Sequence, residues 1–391
     1  MSEQAAAEYA VAVRHRYGAA GRAEKGRILD EFCATTGMHR KAAIRLLNRK
    51  TGPAAVRKGR PRRYGPEAAQ ALVSIWQVSD RMCGKLLAAV KADLVEALER
   101  HRELRLEPEV RKQVLEMSAA TIDRILSRHR RRLGVQPQRR SASGGLKGEV
   151  PIRTWRDWKG TVVGSLQADL VLHCGESTGG FYLTSLCAVD VATGWTEVQP
   201  VWGLGKQRVG TAIHLVRQRL PFAMQSLHTD NGSEFINHTL YNWCRQEQIA
   251  FTRGRSYRKN DQAYVEQRNW LMIRRQVGYS RLASKQAFAL LGQLYPLLCQ
   301  QLNFFRPVRK LVAKDRAGAH VLKRYDEPRT SYQRLLETGV LTTEASEDLK
   351  RRMTTINPAE LQRRIDRVLR DLWQLGPREA KLTDDVGVTG L

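Results

Sequence analysis

Acidic residues are scarce in this chain relative to basic ones. The 391 residues include 39 Asp and Glu against 66 Lys and Arg, which gives a formal net charge of +27 and a sequence pI near 10.3. The excess is largest in residues 1–150, which contain 31 basic and 16 acidic residues. A basic excess concentrated in one region is typical of nucleic-acid-binding proteins. The alternative interpretation is a merely well-solvated basic surface.

The chain also lacks long apolar runs, paired cysteines and a targeting signal. No stretch of about 18 consecutive apolar residues is present, so no membrane span is predicted. The six cysteines are scattered without a CxxC pair, which argues against a disulfide framework or a zinc finger. The first residues do not follow the pattern of a signal peptide. We therefore expect a cytoplasmic protein with reduced thiols and no membrane partner, long enough for at least two domains.

Residues 24–49 show the pattern of a helix-turn-helix. Apolar residues such as Ile28 and Phe32 recur at helical spacing, a turn follows at Gly37, and a second apolar run includes Leu47. We predict an N-terminal DNA-binding domain over residues 1–60. Its second helix would direct three basic side chains towards DNA: Arg40, Lys41 and Arg45. A helical hairpin with a solvated basic face remains an alternative.

A Gly/Pro/Arg-rich stretch, residues 51–65, follows as a linker. Its basic centre resembles an AT-hook, which lays arginines into a narrow minor groove, although a generic phosphate-binding linker is equally consistent with it. The basic residues concerned are Lys58, Arg60, Arg62 and Arg63. A second helical DNA-binding domain is predicted over residues 61–133. It ends in a basic helix where Arg128 and Arg131 would contact phosphates or complement the helix dipole.

The hydrophobic period changes after a basic Gly/Ser-rich linker at residues 134–150. Residues 151–282 begin with three β-rich runs in a meander and continue with alternating helical and strand segments. This order predicts an α/β fold with a mixed five-stranded sheet flanked by helices, preceded by the all-α domains. Residues 283–391 form a C-terminal helical and basic region, with a small β-containing DNA-binding module expected near residues 303–330.

Three carboxylates occupy distinctive positions in this predicted core. Asp169 lies within an apolar strand, Asp230 directly follows the fourth strand, and Glu266 lies early in the last helix. A carboxylate in an apolar strand costs several kcal/mol unless it is paired or binds a metal. No Lys or Arg lies within nine residues of Asp169 in the chain. Hard oxygen ligands favour Mg²⁺ or Mn²⁺, and two such ions would support phosphoryl transfer.

The stretches 166–169 (LQAD), 228–235 (HTDNGSEF) and 260–267 (NDQAYVEQ) resemble the catalytic core of the DDE transposases and retroviral-type integrases. Asp230 and Glu266 are separated by 35 residues, the spacing known for that family. The resemblance implies a ribonuclease H-like fold in which Asp169, Asp230 and Glu266 are catalytic metal ligands for two Mg²⁺ or Mn²⁺ ions. It further implies supporting roles for Asn231 and Gly232 in a turn and for Asn260 in capping or orienting the last helix, and DNA contacts for Arg258, Lys259 and Arg268.

Further stretches extend the resemblance over roughly residues 20–345 to bacterial insertion-sequence transposases of the ISNCY group. They are residues 62–66 (RRYGP), 117–124 (MSAATIDR) and 303–307 (NFFRP). This likeness implies a nucleoid-associated enzyme that binds double-stranded transposon ends, cleaves their 3′ ends and joins them to target DNA, as a homo-oligomer. Two alternatives remain: a catalytically silent DNA-binding regulator of transposon origin, and a ribonuclease H-like nuclease of other specificity.

Overall fold

The computed structural model describes residues 2–48, 63–131, 161–255, 259–317 and 320–385. Four predicted DNA contacts, Lys58, Arg60, Arg62 and Arg258, lie outside these ranges. The chain divides into two compact units, Met1–Arg63 and Tyr64–Leu391. No helix in the described ranges is both long and apolar enough to cross a membrane.

The first unit consists of three helices: α1 (Glu3–Ala19), α2 (Arg22–Thr36) and α3 (Arg40–Leu47). Their apolar faces meet around Phe32, which is fully buried. Helix α2 ends at Gly37, whose φ of +71° is a left-handed conformation that glycine adopts without a Cβ penalty. Two consecutive helices joined by a glycine turn therefore lie where the sequence predicts them. Their role in reading DNA stays a prediction.

The second unit begins with four helices. They are α4 (Pro66–Val78), α5 (Gly84–Arg100), α6 (Pro108–Glu116) and α7 (Ala119–Arg131). Both α4 and α6 start with proline followed by glutamate, residues that suit a first turn because proline needs no amide donor there and the carboxylate favours the helix dipole.

A five-stranded sheet follows. Its strands are β1 (Ser165–Leu172), β2 (Thr184–Asp190), β3 (Thr196–Val201), β4 (Ser226–Thr229) and β5 (Ala250–Arg253). The order is β3-β2-β1-β4-β5, with β2 antiparallel to β1 and β3, and with β1, β4 and β5 parallel to one another. Every residue of β2 is buried, so helices cover both faces of the sheet at this strand. This topology confirms the predicted mixed sheet of a ribonuclease H-like fold.

Helices α8 (Lys206–Arg219) and α9 (His238–Gln246) connect the later strands. The sequence pattern predicts the second of these helices from residue 233, but it begins five residues later. The reason is Asn237, whose side-chain oxygen accepts a hydrogen bond from the Leu240 amide at 3.0 Å and caps the helix there.

The helix predicted over residues 262–277 is not one regular helix. A 3₁₀ turn (Lys259–Gln262) leads into α10 (Ala263–Arg268), a π-helical segment (Asn269–Arg274) and α11 (Arg275–Val277). A π-helical turn contains more residues than an α-helical turn, so it changes which side chains face the sheet. The 3.6-residue period of the sequence gives no sign of this change.

The C-terminal region adds helices and a small ribbon. Its elements are α12 (Lys285–Gln300), a π-helical end (Gln301–Phe305), β6 (Leu311–Ala317), β7 (His320–Tyr325), α13 (Ser331–Glu337), α14 (Thr343–Thr355) and α15 (Pro358–Asp385). Strands β6 and β7 pair with each other as a separate two-stranded sheet. Helix α12 contains Pro296 in its interior, where proline has no amide hydrogen to donate to the carbonyl of Gly292.

One hydrophobic core joins regions that the sequence pattern divides. Buried residues of α4–α7 belong to the same cluster as residues of the sheet, α12 and α15, including Leu72, Trp195 and Leu369. Polar contacts cross the same boundary, for example Glu103 with Arg363 at 2.7 Å. From Tyr64 onward, the described parts of the three segments predicted as separate domains therefore share a single compact unit.

Candidate active site

The parallel pairing of β1 and β4 brings two of the predicted acids side by side. The register pairs Ser165 with Ser226 and Gln167 with His228. Continued by two residues, this register directs Asp169 and Asp230 towards the same end of two adjacent parallel strands. Both residues are half-buried at the carboxyl end of the β4 strand. Ligand sites in open α/β sheets commonly lie at this end of the strands.

Helix α10 carries Glu266 across the face of the sheet that bears Asp169. The fully buried Gln167 holds this segment, because its amide donates to the Asp261 carbonyl at 3.0 Å and accepts from the Val265 amide at 3.3 Å. One turn after Glu266, the Asn269 amide donates to Asp169 Oδ2 at 2.6 Å. Glu266 thus lies between two residues that both contact strand β1.

The elements that carry the three acids come together, but their carboxylates do not form a ligand group in this conformation. Within the ranges that the structure describes, no three His, Cys, Asp or Glu side chains lie close enough to hold a metal ion. Asp169 accepts hydrogen bonds from the Leu170 amide at 2.9 Å and from Asn269. Three carboxylates suit Mg²⁺ or Mn²⁺ in their chemistry. Gathering their oxygens requires the side chains to move.

The loop after β4 is built around Asp230. Its Oδ1 accepts a hydrogen bond from the Gly232 amide at 2.9 Å, and burial raises its pKa. Asn231 ties the loop to the end of β5, because it donates to the Gly254 carbonyl and accepts from Arg253, both at 2.9 Å. The Asp230 carboxylate is therefore held in a fixed turn and is more easily protonated than a solvated one.

Asn231 and Gly232 form the predicted turn, but not through a left-handed backbone conformation. Neither residue has a positive φ. Instead, a Cβ on Gly232 would lie 2.4 Å from Glu234 Oε1, closer than real Cβ contacts allow. A larger residue here would require the Glu234 carboxylate, at the far end of a flexible side chain, to move.

Two residues near the acids are not among the predicted site residues: Glu234, which the sequence pattern favours as structural, and Asn269. Burial and, to a smaller extent, the negative charge of Asp230 raise the pKa of Glu234, so these two carboxylates lie near each other. Asn269 is 3% exposed, and its Oδ1 has no hydrogen-bond partner in the structure. The available signal was spacing, because residues three apart share a helix face and Asn269 follows Glu266 by three.

A loop between β1 and β2 lies next to the acidic residues. Arg281, 8% exposed, donates to the carbonyls of four of its residues: Cys174, Ser177, Gly179 and Phe181. Burial raises the pKa of Tyr182 in this loop, and Glu234 is among the nearby charges that contribute. The loop therefore reaches the neighbourhood of Asp230 and is held there by one arginine.

Arg268 corrects one sequence prediction. This predicted DNA contact is 5% exposed, its guanidinium donates to the Gly194 carbonyl at 3.2 Å, and burial lowers its pKa to about 10. It follows Glu266 by two residues, and residues two positions apart in a helix point to nearly opposite faces. Because Glu266 faces the partly exposed side, Arg268 faces the core and cannot reach DNA at the surface.

The other predicted DNA contacts are distributed over several elements. Lys41, Arg45 and Arg63 are exposed, and Arg40 is exposed but pairs with Asp30. Lys259 lies in the 3₁₀ turn, and Arg128 and Arg131 lie near the end of α7, with side chains outside the described part of the structure. Their contacts with DNA stay predictions.

Asn260 does not cap the helix that bears Glu266. It lies within the 3₁₀ turn, and the N-cap position of α10 is occupied by Gln262, which makes no side-chain cap hydrogen bond. The orientation of this segment instead depends on Asp261, a fully buried residue whose carboxylate binds Arg255 at 2.9 Å. The side chain of Asn260 is outside the described residues.

A buried polar network lies beneath the far end of β1. His173 Nε2 and Ser185 Oγ are 2.8 Å apart, and Ser185 also contacts the Tyr295 hydroxyl. All three residues are fully buried. Burial, and to a smaller extent the charge of Arg274, lowers the pKa of His173 to about 3, so this histidine is neutral in the folded protein.

We expect His173 to make the protein less stable as the pH falls below about 6.5. An unfolded histidine binds a proton near that pH, whereas folded His173 binds one only near pH 3. The unfolded state therefore gains protons first, which costs about 1.4 kcal/mol per pH unit in this interval. Between pH 6.5 and 5 the difference in unfolding free energy between the wild type and His173→Asn should change by about 2 kcal/mol, as measured by urea denaturation.

Tyr295→Phe provides the control for this measurement, since it removes a hydroxyl from the same network and leaves the histidine in place. Its stability should follow the wild-type pH dependence. Parallel pH profiles for wild type and His173→Asn would contradict the assignment of a neutral buried imidazole.

The strand order, strand directions and placement of the three acids define a ribonuclease H-like α/β protein with an acidic edge. The sequence of one relative matches most of this chain. It is the uncharacterized protein y4rM of Sinorhizobium fredii (strain NBRC 101917 / NGR234), which is 43% identical over 322 residues, 82% of this chain and 92% of that protein. The chain therefore belongs to the same family as y4rM.

No protein-family model matches the chain. Among solved structures, the chain is similar to the catalytic core domain of BIV integrase, with 22% identity over 45% of this chain and 95% of that domain, and with a TM-score of 0.29. The observed strand order, and not this weak likeness, identifies the ribonuclease H-like fold.

Proposed function

We propose that the protein is a DNA transposase that binds the ends of a mobile element, cleaves their 3′ ends and joins them to target DNA. The observation that carries this proposal is that β1, which bears Asp169, pairs in parallel with β4, which Asp230 directly follows, while the helix segment of Glu266 contacts β1. The net charge of +27 supports a polyanionic substrate. Double-stranded DNA is the partner proposed here, bound by a homo-oligomer that holds two ends.

The three acids would hold two Mg²⁺ or Mn²⁺ ions. Such ions, when bound, polarise the scissile phosphate and activate the attacking water or 3′-hydroxyl group. The chain's own residues prepare this arrangement. The Gly232 amide holds Asp230 and the Asn269 amide holds Asp169, while Gln167 keeps the helix of Glu266 on the sheet.

Strand transfer by the purified full chain tests this proposal. A labelled duplex bearing the terminal repeats that flank the coding sequence is incubated with Mg²⁺ and a target plasmid. Asp230→Asn keeps the acceptor for the Gly232 amide but removes the charge, so it should lower strand transfer by about 1,000-fold or more, roughly 4 kcal/mol of barrier, without weakening DNA binding.

Glu247→Gln is the matched control, because it removes one negative charge from a partly exposed residue that caps the C-terminus of α9 and pairs with Arg217. It should transfer strands at the wild-type rate. Wild-type protein that binds the repeats but never cleaves them in Mg²⁺ or Mn²⁺ would contradict the proposal. Full activity of Asp230→Asn would contradict the role of the acid.

A catalytically silent DNA-binding regulator is the second candidate. It is favoured by the finding that the carboxylates are not gathered into a ligand group within the described residues. The two candidates differ in one measurement. A regulator binds the terminal repeats with the same affinity in EDTA and in Mg²⁺ and leaves the DNA intact, whereas the transposase cleaves it only with the metal.

Asn269 offers a separate test of the proposed metal site. We expect Asn269→Ala to weaken Mg²⁺ binding by about 10- to 100-fold, because residues that orient a ligand contribute that much to metal affinity. The lost contact is the 2.6 Å hydrogen bond to Asp169. Isothermal titration of the DNA-free protein measures this directly. Unchanged affinity would show that Asn269 has only a packing role.

A further inference from the structure

The turn between β2 and β3 is enclosed by basic side chains. Lys310 Nζ donates to the Val191 carbonyl at 2.8 Å and to the Ala192 carbonyl. Arg268 donates from Nη2 to the Gly194 carbonyl at 3.2 Å and is 5% exposed. Within the ranges that the structure describes, no carboxylate forms an ion pair with Arg268. Because a buried charge is costly unless it is paired, this guanidinium needs a counter-charge.

Three buried polar groups around this turn have no hydrogen-bond partner within the described residues. Two of them are Arg268 Nη1 and the Oγ of Ser331, a residue that is 1% exposed. The third is Arg334 Nε, and Arg334 follows Ser331 by three positions on α13, so the two side chains share a face of that helix. A buried donor that finds no acceptor in the protein indicates a bound water or ion.

Gly194 lets the guanidinium and the hydroxyl approach the same point. A Cβ at this position would lie 2.9 Å from Arg268 Nη2 and 3.4 Å from Ser331 Oγ. It would also lie 3.7 Å from Val308 Cγ2. The arginine and the serine therefore face one small cradle beside the glycine, and a methyl group bounds this cradle on another side.

The chemistry of these groups favours an anion over a water molecule. Guanidinium N–H groups only donate hydrogen bonds, and a serine hydroxyl can donate one. A water molecule needs acceptors for its own two hydrogens, but the Gly194 carbonyl already accepts from Arg268 and from Thr196 Oγ1. The positive charges of Arg306 and Arg334 also act on Arg268, which adds to the need for a negative ion.

We propose that Arg268 and Ser331 form a binding site for a small monovalent anion, chloride, in the cradle beside Gly194. The close approach of Val308 suits an ion of one atom better than a tetrahedral oxyanion such as phosphate. The ion would connect α10, the β2–β3 turn and α13. Because these groups come together only in the folded chain, the ion would stabilise the fold. This proposal is independent of the proposed function.

Urea denaturation of the full chain at constant ionic strength tests this site. All 8 tryptophans follow residue 64, so their fluorescence reports unfolding of the second unit. Sodium gluconate is replaced stepwise by sodium chloride at a total of about 0.3 M, so that screening stays the same. A ligand of the folded state divides the unfolding constant by one plus the ratio of ligand concentration to Kd. Each tenfold rise in chloride above its Kd should therefore lower the unfolding constant about tenfold.

Two variants remove different parts of the site. Arg268→Met removes the guanidinium together with its buried charge and should abolish the response to chloride. Ser331→Ala keeps the charge and should shift the response to chloride concentrations at least about tenfold higher, because it removes one hydrogen bond to an ion. The matched control is Arg351→Met, which removes a positive charge from an exposed residue of α14 that pairs with Asp348. It should respond to chloride as the wild type does.

Three outcomes would overturn the proposal. Equal unfolding constants of the wild type in chloride and in gluconate would assign the three polar groups to water. Equal chloride responses of Arg268→Met, Arg351→Met and the wild type would mean that chloride acts on the whole basic surface. A response of the wild type to sodium phosphate but not to chloride would contradict the assignment of a one-atom ion. If Arg268→Met does not fold, the comparison of Ser331→Ala with Arg351→Met decides the question.

Discussion

Removing residues 1–133 is expected to unfold the remaining chain, whereas removing residues 1–63 should leave it folded. Residues 64–131 supply one part of the core of the second unit, including the fully buried Leu72, Ile75, Leu87 and Leu94. Burial of such side chains stabilises by about 1.5–3 kcal/mol each. Four of them account for roughly 10 kcal/mol, which is comparable to the whole stability of a typical domain.

Thermal unfolding of the two truncated proteins checks this expectation. Residues 64–391 should show one cooperative transition, and residues 134–391 should show none or should aggregate. A cooperative transition of residues 134–391 near that of residues 64–391 would mean that the four helices are an independent domain. The sequence pattern alone favours that outcome, because residues 134–150 are predicted to be a linker between domains.

Replacing Asp80 by alanine should lower the free energy of unfolding by about 3–5 kcal/mol. Asp80 lies between α4 and α5 and pairs with Arg275 at 2.8 Å and with Arg306 at 2.7 Å. Burial lowers the pKa of the Arg306 guanidinium, which the charge of Asp80 partly offsets. Removal of one partner leaves a largely buried charge without compensation, which is the costly way to break such a pair. Urea denaturation of the full chain measures the loss.

Two variants separate charge from backbone conformation at this turn. Asp80 and Arg81 have φ values of +55° and +54°, where Asp and Asn are better tolerated than alanine. Asp80→Asn keeps the backbone preference and should lose most of the ion-pair contribution. Adding Arg306→Met to Asp80→Ala should restore part of the stability, because it removes the uncompensated charge. A double variant as unstable as the sum of both single changes would contradict this explanation.

The acidic residues were predictable because their signals are local. Asp169 stands out in an apolar strand without a nearby basic residue, and the strand order follows from the succession of β-rich and helical runs. The parallel pairing of β1 with β4 directs Asp169 and Asp230 towards the same end of adjacent strands, and their role as metal ligands stays a prediction. A regular period, however, cannot show the π-helical segment that begins at Asn269, because the extra residue per turn depends on packing against the sheet.

The contacts that were not predictable connect residues far apart in the chain. Asp80 meets Arg306 across 226 positions, and nothing in either local sequence indicates the partner. The burial of Arg268 was likewise not predictable from the local sequence. A basic residue near a proposed DNA-binding site suggests a phosphate contact, but its direction depends on the helix phase relative to the sheet.

The common core of the four helices and the sheet has a geometric consequence for catalysis. DNA held on α4–α7 would be held by the same compact unit that carries Asp230. The fold would then fix the distance between the bound DNA sequence and the cleaved phosphodiester. Lengthening the chain between residues 132 and 160 should leave the cut at the same nucleotide.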